Sequence, residues 1–259
     1  MAQSPYPLKE RLIIALDVDD PQSALRLVNE LGEHVCFYKI GYQLFYTKGS
    51  YELIERLRQK GKKIFLDLKL HDVPRTVFSA IKSLNDIQPD FLTLHSEKNL
   101  IKAAIDALDV CANKKTKLLA VTVLTSIDAG DLKASGITLS LTELVKMRAI
   151  EAESLGCAGV VASALEAKLL RQVLKPSSLI VTPAIRLSEP ALKHEPLKSG
   201  SAFKKDDQKR VLTPQTAIRN GADYLVIGRP VTHATQPLKT VLAIQSMIKQ
   251  AIDINTTNQ

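Results

Sequence analysis

The 259-residue sequence has no tryptophan, few aromatic side chains (5%) and only three cysteines. Cys36, Cys111 and Cys157 are scattered without a C-x-x-C pair, which argues against a disulfide framework or a zinc site and favours a reducing compartment. No apolar run reaches membrane-spanning length, and the first residues lack the apolar segment of a signal peptide. These absences predict a cytoplasmic protein with no membrane partner.

Several catalytic and cofactor motifs are also missing. The sequence has no G-x-S-x-G, H-E-x-x-H or P-loop motif, and no G-x-G-x-x-G follows the first apolar run. His34, His71, His194 and His233 show no metal-ligand spacing, and His95 is expected to support a site rather than perform its chemistry. No metal site is therefore predicted.

The charge balance is basic. Lys and Arg number 35 against 27 Asp and Glu, which gives a formal net charge of +8. This excess suits an anionic partner such as a nucleic acid, a membrane surface or a phosphorylated small molecule. The basic residues are dispersed, and no Lys/Arg-rich run carries interleaved aromatics, so an RNA binder is the weaker alternative.

Short runs rich in Val, Ile and Leu recur along the chain and alternate with amphipathic segments of helical periodicity. Nearly continuous apolar runs are typical of strands that are buried on both faces of a parallel sheet. The runs cover residues 12–17, 35–41, 64–69, 91–95, 118–124, 159–163, 179–183 and 224–228. The clearest helical segments cover residues 21–31, 51–60, 141–155, 165–174 and 238–252.

This alternation predicts right-handed parallel crossovers. Eight strand–helix units in this length favour a single closed (β/α)8 TIM barrel domain over residues 1–259. An open doubly wound sheet is the structural alternative. The polar, Lys-rich stretch at about 187–210 predicts an extended loop, and the residues after Ile254 form a polar tail.

The sharpest cluster of ionisable residues lies in residues 64–76, IFLDLKLHDVPRT. Asp67 and Lys69 alternate onto one face of the predicted strand, Asp72 follows in the next turn, and Lys39 ends the neighbouring strand. Charges at such positions are costly unless they pair, so we expect them to share one cavity and act on a ligand. The alternative is a solvated face in which Asp72 caps a helix.

A second cluster lies in residues 224–231, YLVIGRPV. The loops after strands seven and eight commonly bind phosphate in these barrels, and Gly228 and Arg229 suit that role. Arg186 is a second candidate phosphate anchor. The alternative is that Arg229 only caps a helix, and Asp17, at the end of the first run, could likewise be a cap.

Taken together, the segments LIIALDVDD, FYKIG, FLDLKLHDVPRT, AVTVLTS, VTPAIR, DDQKR and YLVIGRPVT resemble the bacterial orotidine 5′-phosphate decarboxylase family, in the expected order from about residue 10 to residue 245. The resemblance implies a carboxy-lyase that converts orotidine 5′-phosphate to UMP and CO2 in de novo pyrimidine synthesis. It also implies a homodimer with shared active sites and no metal or organic cofactor.

The resemblance further implies roles for single residues. Lys69 would protonate the carbon that loses CO2, with Asp67 and Lys39 completing the charged network and Asp72 reaching into the partner subunit's site. The implied substrate-binding residues are Asp17 and Lys39 at the ribose, Asp67 and Lys69 at the reacting group, Asp72 and Thr76 at the shared edge, Thr125 at the pyrimidine, and Arg186, Gln208, Gly228 and Arg229 at the phosphate.

Two features depart from the family pattern. Ala184 stands where the family usually has Gly in V-T-P-G-I-R, and the segment from Arg186 to Gln208 is about a dozen residues longer than expected. Two other functions stay open from the residues alone. One is a metal-dependent sugar-phosphate decarboxylase, such as 3-keto-gulonate 6-phosphate decarboxylase, which shares the D-x-K-x-x-D strand. The other is a barrel that has lost its activity.

Overall fold

The structure is a computed structural model that describes residues 6–187 and 210–257. In this part of the chain, eight parallel strands pair in sequential order and β8 closes onto β1, so the predicted (β/α)8 barrel is confirmed and the open sheet is wrong. The strands are β1 (Leu12–Ala15), β2 (Phe37–Gly41), β3 (Lys63–Leu70), β4 (Phe91–His95), β5 (Lys117–Val121), β6 (Gly159–Val161), β7 (Leu179–Thr182) and β8 (Tyr224–Ile227).

Helices connect the strands and cover the outside of the barrel. The first helix begins where Asp20 accepts a hydrogen bond from the Ser23 amide (2.8 Å), and Pro21 occupies its first turn. The helices are α1 (Pro21–Leu31), α2 (Tyr42–Phe45), α3 (Ser50–Gln59), α4 (Pro74–Ser83), α5 (Lys98–Val110), α6 (Ala129–Ala134), α7 (Leu141–Ser154), α8 (Ala164–Val173), α9 (Pro214–Arg219), α10 (Arg229–Thr232) and α11 (Pro237–Thr257). Within the described ranges, no helix is both long and apolar enough to cross a bilayer.

The core has two layers because side chains alternate along each strand. Outward side chains such as Leu66 and Leu68 pack in the outer layer with side chains of the helices. The inward layer holds an aromatic cluster, in which the ring of Phe91 lies 4.9 Å from that of Phe37 and 5.1 Å from that of Tyr224. These three rings come from the first residue of their strands, so they fill the amino-terminal end of the barrel.

On β2, β3 and β4, the inward-facing side chain becomes polar two residues after an inward phenylalanine. Lys39 follows Phe37, Asp67 follows Phe65, and Thr93 follows Phe91. The barrel interior is therefore apolar at one end and polar at the other, where the carboxyl ends of the strands open. Active sites of (β/α)8 barrels lie at this second end.

Several strands end earlier than the apolar runs predicted. The runs reach residues 17, 124, 163, 183 and 228, whereas the corresponding strands end one to three residues sooner. An apolar run records burial, and burial continues into the loops around the barrel mouth after the strand hydrogen bonds have stopped. These buried loop residues form part of the site described below.

Candidate active site

A pocket of about 270 Å³ opens at the carboxyl ends of the strands. It brings together residues that are up to 214 positions apart in the sequence, and its lining includes apolar side chains such as Phe65 and Val226. Among the predicted site residues, those that line it are Asp17, Lys39, Asp67, Lys69, Thr125, Arg186, Gly228 and Arg229. Gln208 and most of the predicted loop at 187–210 lie outside the described residues.

Four of these side chains form a row of alternating charge. The Lys39 ammonium group lies 2.9 Å from Asp17 Oδ1 and 3.6 Å from Asp67 Oδ2, and the Lys69 ammonium group lies 2.8 Å from the same Asp67 oxygen. Asp67 thus stands between two lysines. Only 11–12% of the Lys39 and Asp67 side chains is exposed, whereas 28% of Lys69 and 44% of Asp17 is exposed. The two central groups of the row are therefore buried, and the groups at its two ends, Asp17 and Lys69, are more accessible.

Burial and ion pairing shift the pKa values of Lys39 and Asp67 in opposite directions. Burial alone disfavours the charged form of each, but Asp67 and Asp17 outweigh it at Lys39 and raise the pKa of this ammonium group. In the same way, Lys39 and Lys69, with hydrogen bonds from Lys69 and Thr93, outweigh burial at Asp67 and lower the pKa of its carboxyl group. Both groups are therefore charged at neutral pH in a poorly hydrated pocket.

Thr93 is part of this network and was not predicted from the sequence. Its hydroxyl is fully buried, donates a hydrogen bond to Asp67 Oδ1 (2.9 Å) and accepts one from the Lys69 backbone amide (2.9 Å). A single hydroxyl thus orients the carboxylate and fixes the backbone of the lysine that faces it. The available signal was a polar residue at an inward position of FLTLH, two residues after inward Phe91.

The backbone at Lys69 is irregular. The pairing of β3 with β4 shifts between Leu66 and Leu70, and Lys69 has a φ of +40°, a left-handed conformation that is uncommon for residues other than glycine. Non-glycine residues in this region cost free energy, of order 1–3 kcal/mol, and cluster at functional sites. The irregularity turns the Lys69 side chain toward the pocket, where its ammonium group meets Asp67.

Asp72 and Thr76 do not line the pocket of their own chain. Both are exposed, and Asp72 Oδ1 accepts a hydrogen bond from the Val73 amide (2.6 Å). The residue pattern placed Asp72 in the same cavity as Lys39, Asp67 and Lys69, and a single chain does not show this arrangement. The physical reason is the turn after β3, which carries Asp72 away from the barrel axis before α4 begins.

Arg186, Gly228 and Arg229 form another part of the pocket lining. A side chain at Gly228 would place its Cβ 3.3 Å from Asp17 Oδ2 and 3.4 Å from Ala15 Cβ, so a glycine is favoured where the strand ends and α10 begins. Arg186 follows a short parallel bridge between Ile185 and Leu212. Two arginine side chains and a close-approaching backbone suit a phosphate group at this side.

Ala184 precedes this bridge and lines the pocket, and its φ is +60°. An alanine pays a steric penalty in this conformation that glycine avoids. The departure from the glycine of V-T-P-G-I-R therefore leaves the backbone conformation in place and adds strain to it.

His71, His95 and Glu97 come together beside the pocket, although the sequence spacing gave no metal-ligand pattern. One ligand-type atom of each lies within 4.8 Å of the others. The imidazole rings of His71 and His95 are stacked, with centroids 4.4 Å apart and an interplanar angle of 25°, so their in-plane lone pairs run nearly side by side rather than converging on one point. Burial, followed by the proximity of His71, lowers the pKa of His95. This arrangement fits a packing contact between β4 and the turn after β3.

The fold and the site together define a (β/α)8 barrel of the enzyme type, with an ionisable cluster and a basic phosphate-type subsite at the carboxyl ends of its strands. Residues 10–244 match the model of the orotidine 5′-phosphate decarboxylase / HUMPS family. The chain therefore belongs to this family.

Curated relatives match over nearly their full lengths. An orotidine 5′-phosphate decarboxylase of Methylobacterium nodulans is 43% identical, over 97% of this chain and 100% of its own. That of Afipia carboxidovorans is 45% identical with the same coverage. Among solved structures, the orotidine 5′-phosphate decarboxylase from Lactobacillus acidophilus superposes with a TM-score of 0.76 at 35% identity, over 92% of this chain and 99% of its own.

Replacing Lys39 with methionine should reverse the pH dependence that Asp67 gives to stability. The lowered pKa of Asp67 makes its contribution present above the unfolded pKa of about 3.9 and lost as the pH falls through the folded value. Without Lys39 we expect burial to raise this pKa, so the free energy of unfolding should fall as the pH rises from about 4 to about 8. Urea unfolding at several pH values across this range measures the change in the free energy of unfolding.

The matched control is the double variant Lys39→Met/Asp67→Asn, in which no carboxyl group remains to titrate. Its stability should lack this pH dependence. If Lys39→Met and wild type show parallel pH profiles, Lys39 does not hold Asp67 in its charged form.

Replacing Ala184 with glycine should stabilise the protein by about 0.5–1 kcal/mol, because relief of the left-handed strain exceeds the added freedom of the unfolded chain. Ala112, with a φ of +50°, should respond in the same direction. Ala103→Gly, in the middle of α5, should instead lose about 1 kcal/mol. Chemical denaturation measures the free energy of unfolding of the three glycine variants. If Ala184→Gly is less stable than wild type, the backbone at Ala184 is not strained.

Proposed function

We propose that this protein decarboxylates orotidine 5′-phosphate to UMP and CO2, the last step of de novo UMP synthesis. The observation that carries the proposal is the row of alternating charge, in which the buried Asp67 carboxylate holds the Lys69 ammonium group at the pocket surface. The full-length relatives that bear this name support the choice of substrate.

The chemical difficulty is the carbanion that forms at C6 of the pyrimidine. The C6–carboxylate bond breaks, its electron pair stays on C6, and no adjacent carbonyl is positioned to delocalise the charge. The ammonium group of Lys69 lies where this charge develops, stabilises it and then donates its proton to C6. The neutral amine regains a proton from water after CO2 and UMP leave.

Asp67 and Lys39 prepare Lys69 for this step. Asp67 orients the Lys69 ammonium group before the substrate binds, and Lys39 keeps Asp67 ionised within the pocket. Because these groups are already aligned, little reorganisation is required as the carbanion forms. Asp17 binds the other side of Lys39 and is the more exposed carboxylate, which suits contact with the ribose hydroxyls.

The phosphate binds at the Arg186, Gly228 and Arg229 side of the pocket, and Thr125 contacts the pyrimidine. The phosphate lies far from the carbon that reacts, so its binding energy orders the loops around the substrate instead of acting on C6 directly. Weaker phosphate contacts should therefore impair both binding and turnover.

The second candidate function is decarboxylation of a sugar phosphate with a divalent cation. Within the described residues, both carboxylates that line the pocket are within 3 Å of a lysine ammonium group, an arrangement that repels a cation and favours an anionic substrate. An excess of EDTA separates the candidates. We expect turnover of orotidine 5′-phosphate to be unaffected, and loss of activity that added Mg2+ restores would favour the sugar-phosphate reaction.

We further propose that the enzyme is a homodimer with shared active sites. Asp72 and Thr76 are exposed beside the pocket in one chain, which leaves them available to a partner. An exposed apolar surface lies on the same side: Tyr46 is 76% and Val73 63% exposed, and the ring of Tyr42 lies 5.9 Å from the Lys69 ammonium group. A second copy that covers this surface would bring its Asp72 toward Lys69.

Lys69→Ala should remain folded and bind UMP but release CO2 at least about 10³-fold more slowly, because the variant lacks both the stabilising charge and the proton donor. The decrease in ultraviolet absorbance of orotidine 5′-phosphate measures turnover, and calorimetry measures UMP binding. Lys82→Ala, which removes an exposed lysine from α4, is the control and should match wild type. Near-normal turnover in Lys69→Ala would overturn the assignment of Lys69.

Mixing Lys69→Ala with Asp72→Ala should restore activity if the sites are shared. A hybrid dimer then contains one intact site, built from Lys69 of one subunit and Asp72 of the other. Random exchange should recover about a quarter of the wild-type activity. Turnover is measured after subunit exchange, with differently tagged chains to count the hybrids. If hybrids form and activity equals only the sum of the two variants, Asp72 does not act across the interface.

A further inference from the structure

The Arg210 side chain lies behind the pocket wall and is not one of the residues that line the pocket. Only 9% of it is exposed. Its guanidinium group donates from Nη1 to Glu166 Oε1 (2.5 Å), in the first turn of α8, and from Nη2 to the backbone carbonyls of Val123 and Leu124 (3.2 Å each). One side chain therefore connects the loop after β5 with the helix after β6.

Arginine side chains bind carbonyl groups of the loop after β5. Besides Val123 and Leu124, the carbonyl of Thr122 accepts a hydrogen bond from Arg148 Nη1 (2.6 Å). Three successive carbonyls thus accept hydrogen bonds from arginine side chains, and the next residue is Thr125, which lines the pocket. The planar fork of a guanidinium group reaches two such acceptors and a carboxylate at once, which an ammonium group does not reproduce.

The backbone at Arg210 is attached to the phosphate side of the pocket. The Arg210 carbonyl accepts a hydrogen bond from Ser163 Oγ (3.5 Å), and two residues later Leu212 forms the parallel bridge with Ile185. The carbonyl of Leu212 accepts a hydrogen bond from the Arg186 amide (3.0 Å). Arg210 is therefore linked through three residues of chain to the backbone of Arg186.

The ion pair with Glu166 is poorly explained by stability alone. Only 6% of the Glu166 side chain is exposed, and burial raises the pKa of its carboxyl group by more than Arg210 lowers it. A buried pair of this kind often contributes no more than an apolar pair of similar size, because both charges lose their hydration. The pair then matters for the way it positions α8 and the loop after β5 relative to each other.

We propose that Arg210, oriented by Glu166, is a positioning residue for substrate binding. It fixes the Thr125 loop and the Arg186 backbone relative to each other, so that the pyrimidine side and the phosphate side of the pocket keep one spacing. This inference rests on the proposed function, since it concerns the binding of orotidine 5′-phosphate at the same site.

The chain offers a matched control at the other end of the barrel. Arg171 and Asp223 form an ion pair of 2.6 Å, with 13% and 10% of their side chains exposed. Arg171 also donates to the backbone carbonyls of Ser178 and Gly221. This pair has the same chemistry and similar burial as Arg210 and Glu166, but none of its residues lines the pocket.

The test compares Arg210→Lys and Glu166→Ala with Arg171→Lys and Asp223→Ala. For each variant, kcat and KM for orotidine 5′-phosphate, the Kd for UMP and the thermal midpoint are measured. We expect the Arg210 and Glu166 variants to raise KM and the UMP Kd by about tenfold or more, because small displacements of binding groups are costly. Glu166→Gln, which keeps the acceptor oxygen, should restore KM toward the wild-type value. The Arg171 and Asp223 variants should lower the thermal midpoint and leave KM unchanged.

One result would contradict this inference, and another would contradict the proposed function. If the Arg210 and Glu166 variants lower the thermal midpoint as the control pair does and leave KM and UMP affinity unchanged, the pair is only structural and the inference is wrong. If Arg210→Lys does not fold, Glu166→Ala and Glu166→Gln decide the same comparison. Absence of turnover by the wild-type protein contradicts the proposed function itself, which separates that failure from a failure of this inference.

Discussion

The Asp67 carboxylate is the group on which the geometry of the pocket depends. It is nearly buried, and its charge is tolerated because two ammonium groups and the Thr93 hydroxyl surround it. Each of these partners is in turn oriented by Asp67, so the loss of one leaves another buried charge without compensation. The row from Asp17 to Lys69 is therefore one unit, in which the position of each charged group depends on its neighbours.

The free energy that is lost by burying these charged groups is offset by apolar packing elsewhere in the barrel. The amino-terminal end of the interior is filled by the rings of Phe37, Phe91 and Tyr224, and the outer layer of leucine, isoleucine and valine side chains packs against the helices. Burial of these apolar surfaces supplies the main favourable free energy of folding. The chain can then hold paired charges and left-handed residues such as Lys69 and Ala184 at the opposite end.

The sequence was sufficient to predict the barrel and much of the pocket. Apolar runs and their spacing identified the strands, and charged residues at or just after the strand ends pointed to Asp67, Lys69 and Arg229. Thr93 escaped notice because a threonine inside a strand is common, and only the register of β3 against β4 shows that it faces Asp67. Arg210 escaped for a similar reason, since its contacts at Glu166, Val123 and Leu124 are 44, 87 and 86 residues away.

The position of Asp72 shows a different kind of limit. Alternation along a strand predicts the direction of Asp67 and Lys69, but it stops at the irregular pairing around Lys69, and the turn that follows points Asp72 outward. Residue types and spacing within one chain describe only the surroundings that this chain itself provides. We propose that a second subunit gives this exposed carboxylate its role, which is why the mixing of two inactive variants tests the site more directly than either variant alone.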